Sequence, residues 1–177
     1  MRNLFSNSSW YIISPQEIGI RSLDVLEFGS SYAQNAIAKI EAYQQYTNLP
    51  ILADDSGIEV KALNGKPGIY SARFGGQFIN NDTQRNEYLL QLLDKVGFRN
   101  RKAIFKAVLA VRLNDSETII REGNVLGHIS FEPRGNNGFG YDPIFQLSNG
   151  QTMAELGNKK QEISHRAMAV KALLDVL

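Results

Sequence analysis

Two apolar periods alternate along the chain. From residue 103 to 113, Ala103, Phe105, Ala107, Leu109, Val111 and Leu113 alternate with Ile104, Lys106, Val108, Ala110 and Arg112; this period of two predicts a long strand. Residues 10–14 (WYIIS), closed by Pro15, predict a shorter one. The run ILA at 51–53 predicts a strand that ends in the polar cluster Asp54, Asp55, Ser56 and Gly57, with IEVKAL and an Asn64-Gly65 turn beyond it. Residues 118–122 and 125–131 read as two more strands after a turn at Asn114, Asp115 and Ser116, antiparallel because the connections are too short for a crossover helix.

Helical spacing appears three times. Ser30 and Ser31 can cap a helix reaching about Tyr46, with Ala33, Ala36, Ile37 and Ile40 on one face and Asn35 and Lys39 one turn apart. Asn81 or Asp82 can cap a second, carrying Leu89, Leu92, Leu93 and Val96 and stopping at Gly97. Ile163, Ala167, Val170, Leu174 and Leu177 form the stripe of a C-terminal helix with Ser164 near its start. The expected class is α/β, or mixed α+β: helices packed on a mixed sheet, in one domain over 1–177.

Composition narrows the chemistry. The 177 residues are 43% apolar, enough for a single core, and contain no Cys, which removes disulfides, thiol nucleophiles and thiolate zinc sites. A net charge of +1 gives no global field for nucleic acid or membrane surfaces, so any polyanion must be met locally. No apolar run approaches membrane length and the first residues lack a signal-peptide pattern, so a soluble, cytoplasmic protein is expected.

Three clusters can carry chemistry. Asp54 and Asp55 side by side repel unless a cation joins them, and magnesium uses one or two carboxylates with water and phosphate oxygens completing its shell; the same residues also make an ordinary solvated turn. In the run from Arg134 to Pro143, three Gly and two Asn surround Phe139 and Tyr141, rings able either to stack on a planar base or to plug the core beneath a tight loop. Lys159 and Lys160, then Ser164, His165 and Arg166, offer donors for phosphate or carbonyl groups, or simply a helix cap and exposed polar side chains. His128 falls in a strand pattern and reads as structural. No P-loop and no Gly-rich dinucleotide fingerprint is present.

In order along the chain, Asn35-Ala36, ADDSGIEV (53–60), KPGIYSARF (66–74), RKAIF (101–105), GFGYDPIF (138–145), TMAEL (152–156) and ISHR (163–166) resemble the non-canonical purine nucleoside triphosphate pyrophosphatases, the inosine/xanthosine triphosphate pyrophosphatase family. The resemblance implies magnesium-dependent hydrolysis of inosine, deoxyinosine or xanthosine triphosphate to monophosphate and pyrophosphate. It implies a two-lobed mixed α/β fold with the nucleotide in the cleft between lobes, usually as a homodimer. By motif position it makes Asp55 general base and metal ligand with Asp54 beside it, and Ser56 a substrate contact. Phe139, Gly140, Tyr141 and Asp142 become the base-binding loop, with Phe139 stacking. Lys160, His165 and Arg166 hold the purine's keto edge and nearby groups, and Lys39 lies on the phosphate side.

Two departures stand out. The family opens with a strand and a Ser/Thr-Asn-Lys motif that grips the triphosphate, whereas MRNLF here aligns with the helix after it. Gln34 stands where a metal-binding Glu normally precedes Asn-Ala. Both changes fall on the metal and triphosphate half. An active pyrophosphatase, at full or weakened rate, is the leading expectation, and a non-catalytic nucleotide-binding paralogue that keeps the base pocket is the alternative.

Overall fold

The computed structural model describes residues 1–114 and 117–177, so Asp115 and Ser116 of the expected turn lie outside the described residues. Strands β1 (Ile51–Val60), β2 (Lys102–Arg112), β3 (Thr118–Ile129) and β4 (Phe145–Gln146) hydrogen-bond in the order β1-β2-β3-β4. The sheet is antiparallel, with His128 opposite Gln146 and Ile129 opposite Phe145. The α-helices are α1 (Arg2–Phe5), α2 (Tyr32–Tyr43), α3 (Asp82–Leu92), α4 (Lys160–Ile163) and α5 (His165–Leu174). This is the mixed α/β class that the alternating periods predict. Among the described residues no helix is long and apolar enough to cross a membrane.

The chain forms two compact units. The first comprises Met1–Asp55, Ala107–Gly123 and His165–Leu177; the second comprises Ser56–Lys106 and Asn124–Ser164. In the first, Ala107, Leu109 and Val111 of β2 pack with Ala169, Val170 and Leu173 of α5 and with Phe5, while Ala110 meets Ala36, Ile40 and Ala53. The strand is covered on both faces, which is why its intervening positions are apolar as well. In the second, Ile58, Val60, Ala103 and Phe105 pack with Leu89 and Leu93, and the Phe105 and Phe145 rings meet at 4.7 Å.

Local signals explain most boundaries. Ser31 Oγ accepts from Gln34 N at the start of α2, and Asn81 Oδ1 accepts from Gln84 N at the start of α3. Asn64 and Gly65 both have positive φ, 53° and 85°, and Lys66 N donates to Leu63 O, so the Asn-Gly pair makes the expected tight turn.

Five expectations change. Residues 10–14 form no strand; Trp10 and Ile12 pack on the cluster around Phe5 and Leu109, since β-propensity produces a ladder only where a neighbouring strand accepts it. β1 does not stop before the acidic cluster but runs through Asp54, Asp55, Ser56 and Gly57, because ladder pairing and burial outweigh the turn preference of these residues. Residues 118–129 are one strand rather than two. α2 and α3 end at Tyr43 and Leu92, before Tyr46 and Gly97. The C-terminal helix is broken at Ser164, whose ψ of 159° is extended, so α5 begins at His165.

Candidate functional site

Successive residues of a strand face opposite ways, and β1 uses this at its acidic pair. Asp55, 7% exposed, turns to α2, where Asn35 Nδ2 donates to its Oδ2 at 3.1 Å and Lys39 Nζ lies 2.9 Å from its Oδ1. Asn35 and Lys39, four apart on the helix, therefore grip the two oxygens of one carboxylate. Asp54 turns to α5, where Arg166 Nε donates to its Oδ2 at 2.5 Å. The two carboxylates are thus separated by strand geometry, each with its own cation, rather than paired on one face as their adjacency suggests.

Lys39 is the centre of the first cluster. Its ammonium lies 2.9 Å from Asp55 Oδ1, 3.0 Å from Asp54 O and 2.8 Å from Glu27 Oε1. Two carboxylates and a carbonyl surround one cation, the hard oxygen set that a divalent ion also takes. Asp54 Oδ1 is buried and has no hydrogen-bond partner among the described residues, which leaves a ligand atom available. No group of three or more His, Cys, Asp or Glu among the described residues could hold a metal by itself, so these residues fit an ion that takes further oxygens from water and phosphate. Gln34 takes no part, because its amide oxygen accepts from the Ser30 N–H and Oγ–H.

Burial, with a smaller push from the like charge of Glu27, moves the Asp55 carboxyl up from its ordinary value, against the pull of Lys39 and Asn35. Lys39 is also raised, because hydrogen bonds and charge from both Glu27 and Asp55 outweigh its own desolvation. The partners shift the same way because the lysine has two acids and the more deeply buried acid has one lysine.

α5 supplies Arg166 and His165. The Arg166 guanidinium donates toward His165 Nε2 at 3.2 Å, and His165 is buried. Gly123 lets β3 lie close against the first turn of α5: a Cβ there would lie 2.1 Å from His165 O and 2.3 Å from Ala169 N. Gly123→Ala is expected to push the first turn of α5 off the strand, costing about 1–3 kcal/mol of overpacking and separating Arg166 from Asp54. Thermal unfolding and the rate of any turnover read these two effects.

The second unit holds the aromatic loop. Phe139 is 59% exposed, whereas Tyr141 is buried and donates from its hydroxyl to Ser71 O at 2.9 Å. The two rings differ in place: Tyr141 plugs the core and the Phe139 ring stands exposed. Burial raises the Tyr141 phenol well above its usual value, so it stays a donor. Lys160 Nζ lies over the Phe139 ring, 4.9 Å from its centroid, and pairs with Asp142 Oδ2, which also accepts from Phe139 N at 2.8 Å. Gly138 has φ +83°, and a Cβ there would lie 2.0 Å from Asp142 Oδ2, so a side chain at this position would strain the backbone and displace the Asp142 carboxylate. Gly140 is held by α3, where Asp82 accepts from its N and Asn86 donates to its O.

Ser56 follows Asp55 on β1, half-buried at the start of the second unit. His128 stacks on Phe98 at 4.8 Å, a packing role as its strand position suggests. The sequence pattern gives no hint of Glu27, which lies in an irregular segment with no period to mark it. Asp82 and Asn86 also escape it as site residues, although one helical signal does mark them: two polar residues four apart on a helix that otherwise buries leucine.

The model of the Ham1 family matches residues 1–176. The chain belongs to the Ham1 family. It is 42% identical over 175 residues to a dITP/XTP pyrophosphatase of Thermoanaerobacter sp. (strain X514), covering 98% of this chain and 87% of the relative. A dITP/XTP pyrophosphatase of Thermus thermophilus is 42% identical over 94% of this chain and 79% of its own length. Among solved structures, a HAM1 protein from Coxiella burnetii superposes with a TM-score of 0.87 at 38% identity, covering 99% of this chain and 89% of that one. Membership of the Ham1 family agrees with the resemblance carried by the ordered motifs.

Proposed function

We propose that this Ham1-family protein hydrolyses inosine, deoxyinosine or xanthosine triphosphate to the monophosphate and pyrophosphate. The observation that carries the reading is the oxygen set around Lys39, built at the acidic pair of β1. The relatives named dITP/XTP pyrophosphatase support the same chemistry.

Asp55 orients a water toward the α-phosphorus and takes its proton, and a carboxyl raised by burial is a stronger base for that task than an ordinary one. Magnesium is the ion proposed: Asp55 would hold it, with Asp54, whose carboxylate turns to α5, contributing its backbone carbonyl on the Lys39 side, and when bound it would neutralise charge on the phosphoryl oxygens and the departing pyrophosphate. Lys39 offsets charge on the same side. In the second unit Phe139 stacks on the base, Gly140, Tyr141 and Asp142 shape its loop, and Lys160 contributes a donor. Arg166 and His165 read the 6-keto oxygen, and Ser56 contacts substrate. A purine with an amino group at that position leaves these donors unpaired, which discriminates more sharply than shape. A homodimer in the cytoplasm belongs to the same reading.

Phe139→Ala is expected to raise the KM for inosine triphosphate about 5- to 150-fold, the equivalent of about 1–3 kcal/mol of stacking, with kcat little changed. Steady-state pyrophosphate release measures it, and an unchanged KM removes Phe139 from the base site. The engagement of the Gln34 oxygen by Ser30 favours weak metal binding. Absence of turnover with retained inosine monophosphate binding would therefore identify a nucleotide-binding paralogue instead.

A further inference from the structure

Helix α3 holds both ends of one residue in the aromatic loop. Gly140 N donates to Asp82 Oδ2 at 2.6 Å, and Asn86 Nδ2 donates to Gly140 O at 3.0 Å. Asp82 and Asn86 are four apart and so lie on one face of the helix. Gly140 has φ +63°, and a Cβ added to it would meet nothing within 4 Å, so no side-chain packing at this residue competes with the two bonds that hold its backbone. The residue held is the one directly after Phe139, whose ring is exposed and lies beneath Lys160 Nζ.

Asn86 is a costly way to stabilise a helix. It is 4% exposed, and with Nδ2 directed at Gly140 its Oδ1 is buried without a partner among the described residues. A buried polar atom left unpaired is destabilising, and an apolar side chain of similar volume would avoid the penalty. Arg85, which pairs with Asp82 Oδ1, likewise has a buried Nε without a partner among the described residues. Polar groups kept at this cost point to a role for the bonds they do make.

We propose that Asp82 and Asn86 are positioning residues for nucleobase recognition: by fixing the N–H and C=O of Gly140 they set the Phe139 ring in its stacking orientation. The proposal rests on the reading that Phe139 stacks on a purine. It assigns α3, which touches no proposed reacting group, a part in affinity for the base.

The test is a double-mutant cycle read by calorimetric titration of the intact protein with inosine monophosphate. Asn86→Leu and Asn86→Asp both remove the donor to Gly140 O, and each is expected to weaken binding about five- to tenfold, the effect of one buried hydrogen bond. In a Phe139→Ala background the same substitutions are expected to change the dissociation constant less than about twofold, because a positioning residue has nothing left to position. Asp82 is half-exposed at the start of α3, so Asp82→Ala keeps the fold should the Asn86 variants fail to. It should show the same dependence on Phe139, while Asp82→Asn, still able to accept from Gly140 N, recovers most of the affinity. An equal loss in both backgrounds, or no loss in either, overturns the proposal. If the unsubstituted protein does not bind inosine monophosphate, the parent reading of Phe139 fails, and this proposal with it.

Discussion

Asp55→Asn is expected to lower pyrophosphate release from inosine triphosphate about 10²- to 10⁴-fold, the range for removing a positioned general base. The replacement is nearly isosteric, and Asn35 Nδ2 can still donate to the new amide oxygen. Lys39 keeps Glu27 and the Asp54 carbonyl as partners, so folding should survive. What disappears is the negative charge, and with it both proton acceptance and one of the two acidic ligands around Lys39. A variant with more than a tenth of the original rate would remove Asp55 from the chemistry.

The pH dependence follows from the directions of the two shifts. Asp55 must be ionised to accept a proton, and its carboxyl is raised by burial, so the acid limb of kcat/KM should lie above the pH where an ordinary aspartate ionises. For stability, a carboxyl raised in the folded state favours folding when protonated, and this contribution is lost as pH climbs through the folded value. Lys39, raised by its two acids, stabilises the fold from below its unfolded value and stops doing so only as pH rises through its folded value. Rate and denaturation profiles over the same pH range separate the two residues.

Arg101→Met is expected to have the largest effect on stability, about 3–5 kcal/mol, the cost of leaving buried carbonyls without the charged donor that three of them share. Arg101 is 2% exposed, and its Nε, Nη1 and Nη2 donate to Val96 O, Ser130 O and Leu93 O at 2.8, 2.9 and 2.7 Å. Leu93 and Val96 lie just past the end of α3, where the last carbonyls of a helix lack intrahelical donors. One side chain therefore closes the end of this helix and ties it to the residue after β3, with the Phe131 ring 4.3 Å from its cation. Methionine keeps the apolar stem and satisfies none of the three carbonyls. Urea titration should show a lower midpoint with an unchanged slope. Arg101→Lys keeps the charge but cannot fork to three acceptors, so it should recover less than half of the loss.

Particular residues show what could be read before folding. The period of two in β2, the caps at Ser31 and Asn81 and the Asn64-Gly65 turn are set by contacts within a few residues, and each appears where the sequence places it. The Asn35–Lys39 spacing likewise puts both side chains on one side of α2, and the structure adds that they meet the same carboxylate. Residues 10–14 carry a strand pattern and make no strand, because pairing depends on a partner that the local pattern does not contain. The acidic pair misleads for the same reason: as a tetrapeptide Asp-Asp-Ser-Gly favours a turn, and only the ladder with β2 makes it strand.

Fold class, family and the residue types that can grip phosphate, metal and base are legible in the linear order of residues, because periodicity, caps and ordered motifs are local or linear properties. Tertiary structure alone decided that Asp54 and Asp55 face different helices, that Glu27 joins Lys39, and that Tyr141 is buried while Phe139 is exposed. It also decided that α3 holds Gly140. Each of these is a meeting of residues far apart in the chain, and such contacts are selected by the packing of the whole core, which no short window of sequence encodes.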